Sequence, residues 1–182
     1  MNKIFTAAII ALLLGMASCS PSQNDSKKSG ETASAPKVYD EDVNPLTQID
    51  EALSKAQGEG KFVVCQVGGN WCPWCLRFAQ FAKDDADISK TIADNFVYIH
   101  VNFNPRSTQS EEKTVLAKAM MHRLGNPRRF GFPVFVVLDA EGRVLHTQDS
   151  SFLEEGDGYD KEKVLRFFQC WTPEAVKEAQ KE

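Results

Sequence analysis

The stretch Phe62-Val63-Val64-Cys65-Gln66-Val67-Gly68-Gly69-Asn70-Trp71-Cys72-Pro73-Trp74-Cys75 sets the fold. Phe62 to Val67 is a short apolar run, the pattern of a strand buried on both faces. Gly68-Gly69-Asn70 is turn chemistry. From Cys72 the spacing becomes helical, with Cys75, Phe78, Ala79 and Ala82 along one side. A strand therefore turns into a helix, and two cysteines three apart stand at the junction.

That context separates the chemistries open to a CxxC pair. A structural zinc site needs four ligands. There is no second CxxC, and His100, His122 and His146 stand alone, so no metal is expected. An inert structural disulfide is a further possibility. The redox reading has a direct physical basis. At the start of a helix, unpaired N–H groups and the positive dipole end stabilise a thiolate over a thiol. Cys72 should therefore have a lowered pKa and be the attacking sulfur. Pro73 suits the first turn because the N–H it lacks has no helical partner there. Cys75, about one turn on, should lie near Cys72 but deeper, able to attack a mixed disulfide and release the other chain. Trp71 and Trp74 would flank the sulfurs with apolar surface. No cofactor is expected beyond the Cys72–Cys75 disulfide itself.

Towards the C-terminus, Ile88–Ala93 reads as a short helix, Phe96–Phe103 as a strand and Glu112–Leu124 as a helix. Pro133–Leu138 is a strand, Asp139–Gly142 a hairpin turn and Arg143–Gln148 a further strand. Lys161–Trp171 is a closing helix with Val164, Leu165 and Phe168 as its stripe. Thr172-Pro173 opens a last short one, threonine capping and proline leading. Towards the N-terminus, Leu46, Ile49, Ala52, Leu53 and Ala56 recur at helical spacing until Gly58 and Gly60. Phe62, Phe78, Phe81, Phe167 and Phe168 read as core or helix packing. The order α-β-α-α-β-α-β-β-α, a parallel portion followed by an antiparallel hairpin, belongs to α/β architecture.

The 182 residues suffice for one domain, expected over residues 45–182, plus an anchor and tether. With 42% hydrophobic and 25% charged residues the composition is that of a globular protein. A net charge of −4 leaves no electrostatic footprint for nucleic acid, and Arg128-Arg129 reads as a solvated loop. Lys3, an apolar run from Ile4 to Met16 and the small residues before Cys19 fit an export signal over residues 1–18, too short to span a bilayer. Met16-Ala17-Ser18-Cys19 resembles the lipobox of bacterial lipoproteins, which implies lipidation of Cys19 and anchoring to a membrane through it. Met16 stands where that motif usually has leucine. Ser20, by similarity to the sorting rules of enteric bacteria, leans towards the outer membrane. Residues 20–44 have linker composition, so 19–44 is expected to be a lipidated cysteine and flexible tether. The compartment is then the periplasmic side of a bacterial membrane, where disulfides persist.

With these pieces in place, residues 45–178 resemble the thioredoxin superfamily, particularly the thioredoxin-like proteins exported by Gram-negative bacteria. The resemblance rests on the strand followed by Trp71-Cys72-Pro73-Trp74-Cys75, on Gly131-Phe132-Pro133 ahead of a strand, and on Val136-Val137-Leu138-Asp139-Ala140-Glu141-Gly142. It implies a thioredoxin-like α/β fold, a central mixed β-sheet flanked by helices. It also implies that Pro133 is cis beside the active disulfide and that Phe132 presents backbone groups to a substrate chain. Trp71, Pro73, Trp74, Phe132 and Pro133 are thus the expected substrate groove. In one respect the chain departs from the family. Thioredoxins carry a buried aspartate six residues before the first active cysteine, thought to assist proton transfer, and here that position is Gln66. Glutamine cannot take a proton, so water or another group must handle that of Cys75.

Cys65 and Cys170 read as small core side chains. A bridge between them is disfavoured, because Gln66 should face the side shared by the active-site and closing helices and Cys65 the other. The leading functional expectation is a thiol:disulfide oxidoreductase acting on exported thiol or disulfide proteins, as a reductase supplied by a membrane-embedded electron donor. The alternatives are an oxidase or isomerase of the same fold, a non-catalytic binding module using the groove at Phe132-Pro133, and a metal carrier. Metal-carrying relatives, however, use a wider CxxxC with a histidine.

Overall fold

The computed structural model describes residues 37–105 and 110–181. The signal-like run, Cys19 and the tether as far as residue 36 lie outside the described residues. In chain order the elements are α1 (Pro45–Glu59), β1 (Phe62–Gly68), α2 (Pro73–Asp84), α3 (Ala86–Asn95), β2 (Phe96–Asn102), α4 (Glu111–Arg123), β3 (Val134–Leu138), β4 (Val144–Asp149), β5 (Glu154–Glu155), β6 (Gly158–Tyr159), α5 (Lys161–Cys170) and α6 (Pro173–Ala179). Short 3₁₀ turns occupy Pro127–Phe130 and Ser150–Leu153. Arg128 and Arg129, on the first of these, are exposed, as the solvated-loop reading expects.

Local chemistry fixes the helix ends. The Asn44 side chain accepts from Leu46 N at 2.9 Å and Thr47 N at 3.4 Å, and Pro45 leads α1. Gly60 closes α1 at φ 67°, a left-handed conformation that a side chain disfavours. Thr172 caps α6 through Ala175 N at 3.2 Å.

The main sheet has the order β2-β1-β3-β4. β1 runs parallel to β2 and antiparallel to β3, and β4 returns antiparallel to β3. This is a mixed sheet, and α2 and α3 make the crossover that a parallel pair requires. The pair β5-β6 was not anticipated: each strand has two residues, too few to show alternation.

Side chains along β1 alternate between two cores. Val63, Cys65 and Val67 join Ile49, Leu53, Met120 and Leu124 from α1 and the end of α4, with Val134, Val136 and Leu138. Val64 faces the other way with Phe135 and Val137, against Phe78, Ile88, Val164 and Phe168 from α2, α3 and α5. Helices cover both faces, which is why β3 is apolar throughout and β1 is apolar but for Gln66. The period-two alternation also explains the cysteines. Cys65 is buried and free in the first core, where desolvation pushes its thiol pKa up to about 12. Cys170 is free and exposed, which corrects its assignment to the core. It is the last residue of α5, about 160° around the helix from Phe168.

A second correction concerns residues 38–44. Their polar composition suggests tether, yet Tyr39 is fully buried and Val38 packs beside it. The Asn70 side chain accepts from the backbone N–H groups of Val38 and Tyr39 at 3.0 and 3.1 Å, and Lys113 donates to the Glu41 carbonyl and Asp42 carboxylate, each at 3.0 Å. One buried aromatic outweighs the polar residues around it.

Candidate active site

The loop Gly69–Cys72 carries the chain from the end of β1 to the start of α2. Cys72 is the N-cap of α2 in an extended conformation (φ −103°, ψ 105°), and its Sγ accepts from Cys75 N at 3.2 Å. Pro73 takes the first helical position. Cys72 and Cys75 are joined as a disulfide, their Cα atoms 5.2 Å apart. Both cysteines are buried, Cys72 at 4% exposure and Cys75 at none, so of the pair only Cys72 keeps a contact with solvent. The Cys75 N–H directed at Cys72 Sγ, together with the positive end of the helix, favours the Cys72 thiolate once the bond opens.

Two walls flank the disulfide. On one side the Phe132–Pro133 peptide is cis, and the Phe132 carbonyl oxygen lies 3.6 Å from Cys72 Sγ. The Phe132 ring stacks on Phe103 with centroids 5.3 Å apart and meets Trp71 edge-on at 5.5 Å. Trp71 is fixed by its Nε1–H donating to the Phe103 carbonyl at 2.8 Å. On the other side Trp74 meets Tyr159 edge-on at 5.6 Å, and the Tyr159 hydroxyl donates to the Trp74 carbonyl at 3.1 Å. The Arg77 guanidinium sits 4.6 Å over the Trp74 ring. The structure thus brings Trp71, Cys72, Trp74, Cys75, Phe132 and Pro133 together, with Pro73 exposed at the rim.

Beneath the disulfide lies a polar group that sequence reasoning noted only as a substitution. Gln66 is fully buried. Its Nε2 donates to the Cys75 carbonyl at 2.9 Å and to the Tyr39 hydroxyl oxygen at 2.6 Å, while its Oε1 accepts from the Tyr98 hydroxyl at 2.5 Å. The His100 ring meets Tyr39 and Tyr98 edge-on, centroids 5.3 and 5.4 Å away. Burial raises the pKa of both tyrosines and lowers that of His100 to about 4, so all three are neutral near pH 7. Gly68 makes the space: a Cβ there would collide with Cys75 Sγ and come within 2.9 Å of the Tyr39 hydroxyl. Tyr39, Tyr98 and Gly68 were missed in the sequence. The one available signal for Tyr39 is that it is the sole aromatic residue between residues 20 and 44.

A disulfide at the start of a helix, beside a strand-opening cis-proline, defines a thioredoxin-like disulfide oxidoreductase fold. A model of the thioredoxin-like domain matches residues 49–149, more than half of the chain. The chain belongs to that family and carries its redox-type CxxC disulfide.

The thiol:disulfide interchange protein DsbD of Colwellia psychrerythraea is 23% identical over 128 residues, 70% of this chain. The chain spans only 19% of that relative's length. Among solved structures, a disulphide isomerase from Xylella fastidiosa Temecula1 superposes with a TM-score of 0.59 at 21% identity, covering 72% of this chain and 93% of that one. A thioredoxin from Thermus thermophilus gives 0.50 at 21% identity, covering 72% and 90%. At these identities the structural likeness speaks for the fold alone.

Proposed function

We propose that the protein is a thiol:disulfide oxidoreductase that reduces disulfides in exported proteins, with Cys72 as nucleophile and Cys75 as resolving thiol. The observation that carries this reading is the placing of the disulfide at the start of α2: Cys72 as the helix cap with slight exposure, Cys75 wholly buried one turn on. In the reducing direction the Cys72 thiolate attacks one sulfur of the substrate disulfide, and the other sulfur leaves as a thiolate. Cys75 then attacks Cys72, so that the second substrate sulfur departs and the Cys72–Cys75 bond forms. Two electrons pass from the protein's dithiol to the substrate, and the thiol protons end on the departing sulfurs. Trp71, Pro73, Trp74, Phe132 and Pro133 form the groove for the substrate chain, with the Phe132 carbonyl as a backbone acceptor. No cofactor is needed beyond the cysteine pair.

The reductase direction is supported by the lipobox-like Met16–Cys19 and the polar stretch after it, which together describe a dithiol held near a membrane. In this reading residues 1–18 are removed, Cys19 is lipidated, and the domain works on the periplasmic side, with the outer membrane favoured. Re-reduction then requires a membrane-embedded dithiol donor. The name of the Colwellia psychrerythraea relative, a thiol:disulfide interchange protein, accords with the exchange chemistry.

The test is substrate trapping in the full chain. Cys75→Ser should accumulate mixed disulfides on Cys72, and Cys72→Ser should lose disulfide-reducing activity by several orders of magnitude. Full activity in Cys72→Ser would rule out the mechanism. The reduction potential against glutathione separates directions: a value well above that buffer favours an oxidase. Labelled fatty acid should appear on the wild type and not on Cys19→Ser.

A further inference from the structure

We propose that the Tyr39 hydroxyl donates a hydrogen bond to the Cys75 sulfur once the disulfide is open, and so sets how readily Cys75 becomes the resolving thiolate. This rests on the exchange reading above and assigns a proton-handling role to a residue outside the α/β elements.

Hydrogen-bond polarity makes the case. The Cys75 carbonyl can only accept, so the Gln66 atom 2.9 Å from it is the amide nitrogen. That same nitrogen lies 2.6 Å from the Tyr39 hydroxyl, whose oxygen therefore accepts. The Gln66 oxygen is taken by the Tyr98 hydroxyl at 2.5 Å. Gln66 thus holds the Tyr39 oxygen and leaves its proton for another acceptor. A Cβ at Gly68 would collide with Cys75 Sγ and lie 2.9 Å from the Tyr39 hydroxyl, so both groups border the same small gap. In the disulfide that sulfur is a poor acceptor; as a thiolate it is a strong one. Tyr39 cannot drift away, because Asn70 bonds its N–H and its carbonyl, at 3.1 and 2.8 Å.

The other titratable groups around the cluster are Cys65 from β1, Tyr98 and His100 from β2 and Tyr159 from β6. Charge comes from Arg77 on α2 and Glu154 on β5, both acting on Tyr159. Burial keeps Tyr39 protonated, so it remains a donor across the working range. The step it assists balances as Cys75–SH plus Cys72–S–S–R giving Cys72–S–S–Cys75 plus HS–R. One S–S bond forms as one breaks, and the Cys75 proton ends on the leaving sulfur.

The experiment is a pH–rate profile with dithiobis-nitrobenzoate on the reduced full chain carrying Cys170→Ser, which removes the exposed free thiol and serves as the wild type of the comparison. Cys72 attack releases a first coloured thiolate, and Cys75 attack on the mixed disulfide releases a second. For Tyr39→Phe the midpoint of the second release should move up by about one pH unit, with a rate about tenfold lower at neutral pH. 3-Fluorotyrosine at position 39, a stronger donor of nearly the same shape, should move it down and serves if the phenylalanine variant folds poorly. Coincident second-phase midpoints in wild type and both variants overturn the role of Tyr39 alone. Absence of a second release in the wild type instead overturns the exchange reading.

Discussion

Asn70 grips Tyr39 through both sides of a side-chain amide: its Oδ1 accepts from the Tyr39 N–H at 3.1 Å and its Nδ2 donates to the Tyr39 carbonyl at 2.8 Å. The arrangement imitates one rung of a β-ladder, with a side chain in place of a strand. Because Asn70 stands two residues before Cys72, the segment ahead of α1 is tied directly to the active-site loop. A stretch with the composition of a spacer thereby becomes part of the wall behind the disulfide.

Asn70→Ala removes these bonds and the one from Val38 N–H, stranding three backbone groups, at a cost of about 1–3 kcal/mol. Urea unfolding should show the loss, and limited proteolysis should newly cut near Lys37. Unchanged stability together with unchanged cleavage would mean that the segment is not held by this contact.

Gly68→Ala puts a methyl group into Cys75 Sγ and against the Tyr39 hydroxyl. Neither neighbour is a free surface side chain, so overpacking of about 1–3 kcal/mol is expected, with slower exchange. Denaturant midpoints and turnover, measured on the same samples, check both halves. A variant as stable and as fast as the wild type would contradict the close packing described.

Acid should weaken the fold through His100. Burial holds its pKa near 4 in the folded chain, against an ordinary value near 6.5 once unfolded. Between those values the unfolded chain binds the extra proton. Stability is therefore whole above about pH 6.5 and falls as the pH drops towards 4, by about 3 kcal/mol at most. His100→Phe should keep the edge-on ring contacts and flatten the stability profile in that window. Equal slopes for the two proteins would exclude His100 as the source.

Much of this was legible in the sequence because the decisive signals are local. The apolar run at Phe62–Val67 and the helical spacing after Cys72 each fit one kind of element, and the cap and proline at Thr172-Pro173 fix a helix start within a few residues. The opposite facing of Cys65 and Gln66 follows from the two-residue period of a strand. Contacts across the fold were not legible. Tyr39 finds Gln66 across 27 positions and Tyr98 finds it across 32, and nothing in a polar stretch announces a buried ring. Gln66 could be recognised as a departure from aspartate, but its partners come from two other segments. Cys170 was misplaced because its burial depends on the rotational phase of α5, set by Phe167 and Phe168.

The most direct measurement of the central claim is the pH dependence of Cys72 alkylation in the reduced protein, followed by mass of the modified peptide. A thiolate stabilised by the first turn of α2 should react half-maximally well below the free-cysteine value of about 8.5, by at least one pH unit. Cys75 should stay unmodified while the chain is folded. A midpoint at or above the free-thiol value would contradict the account.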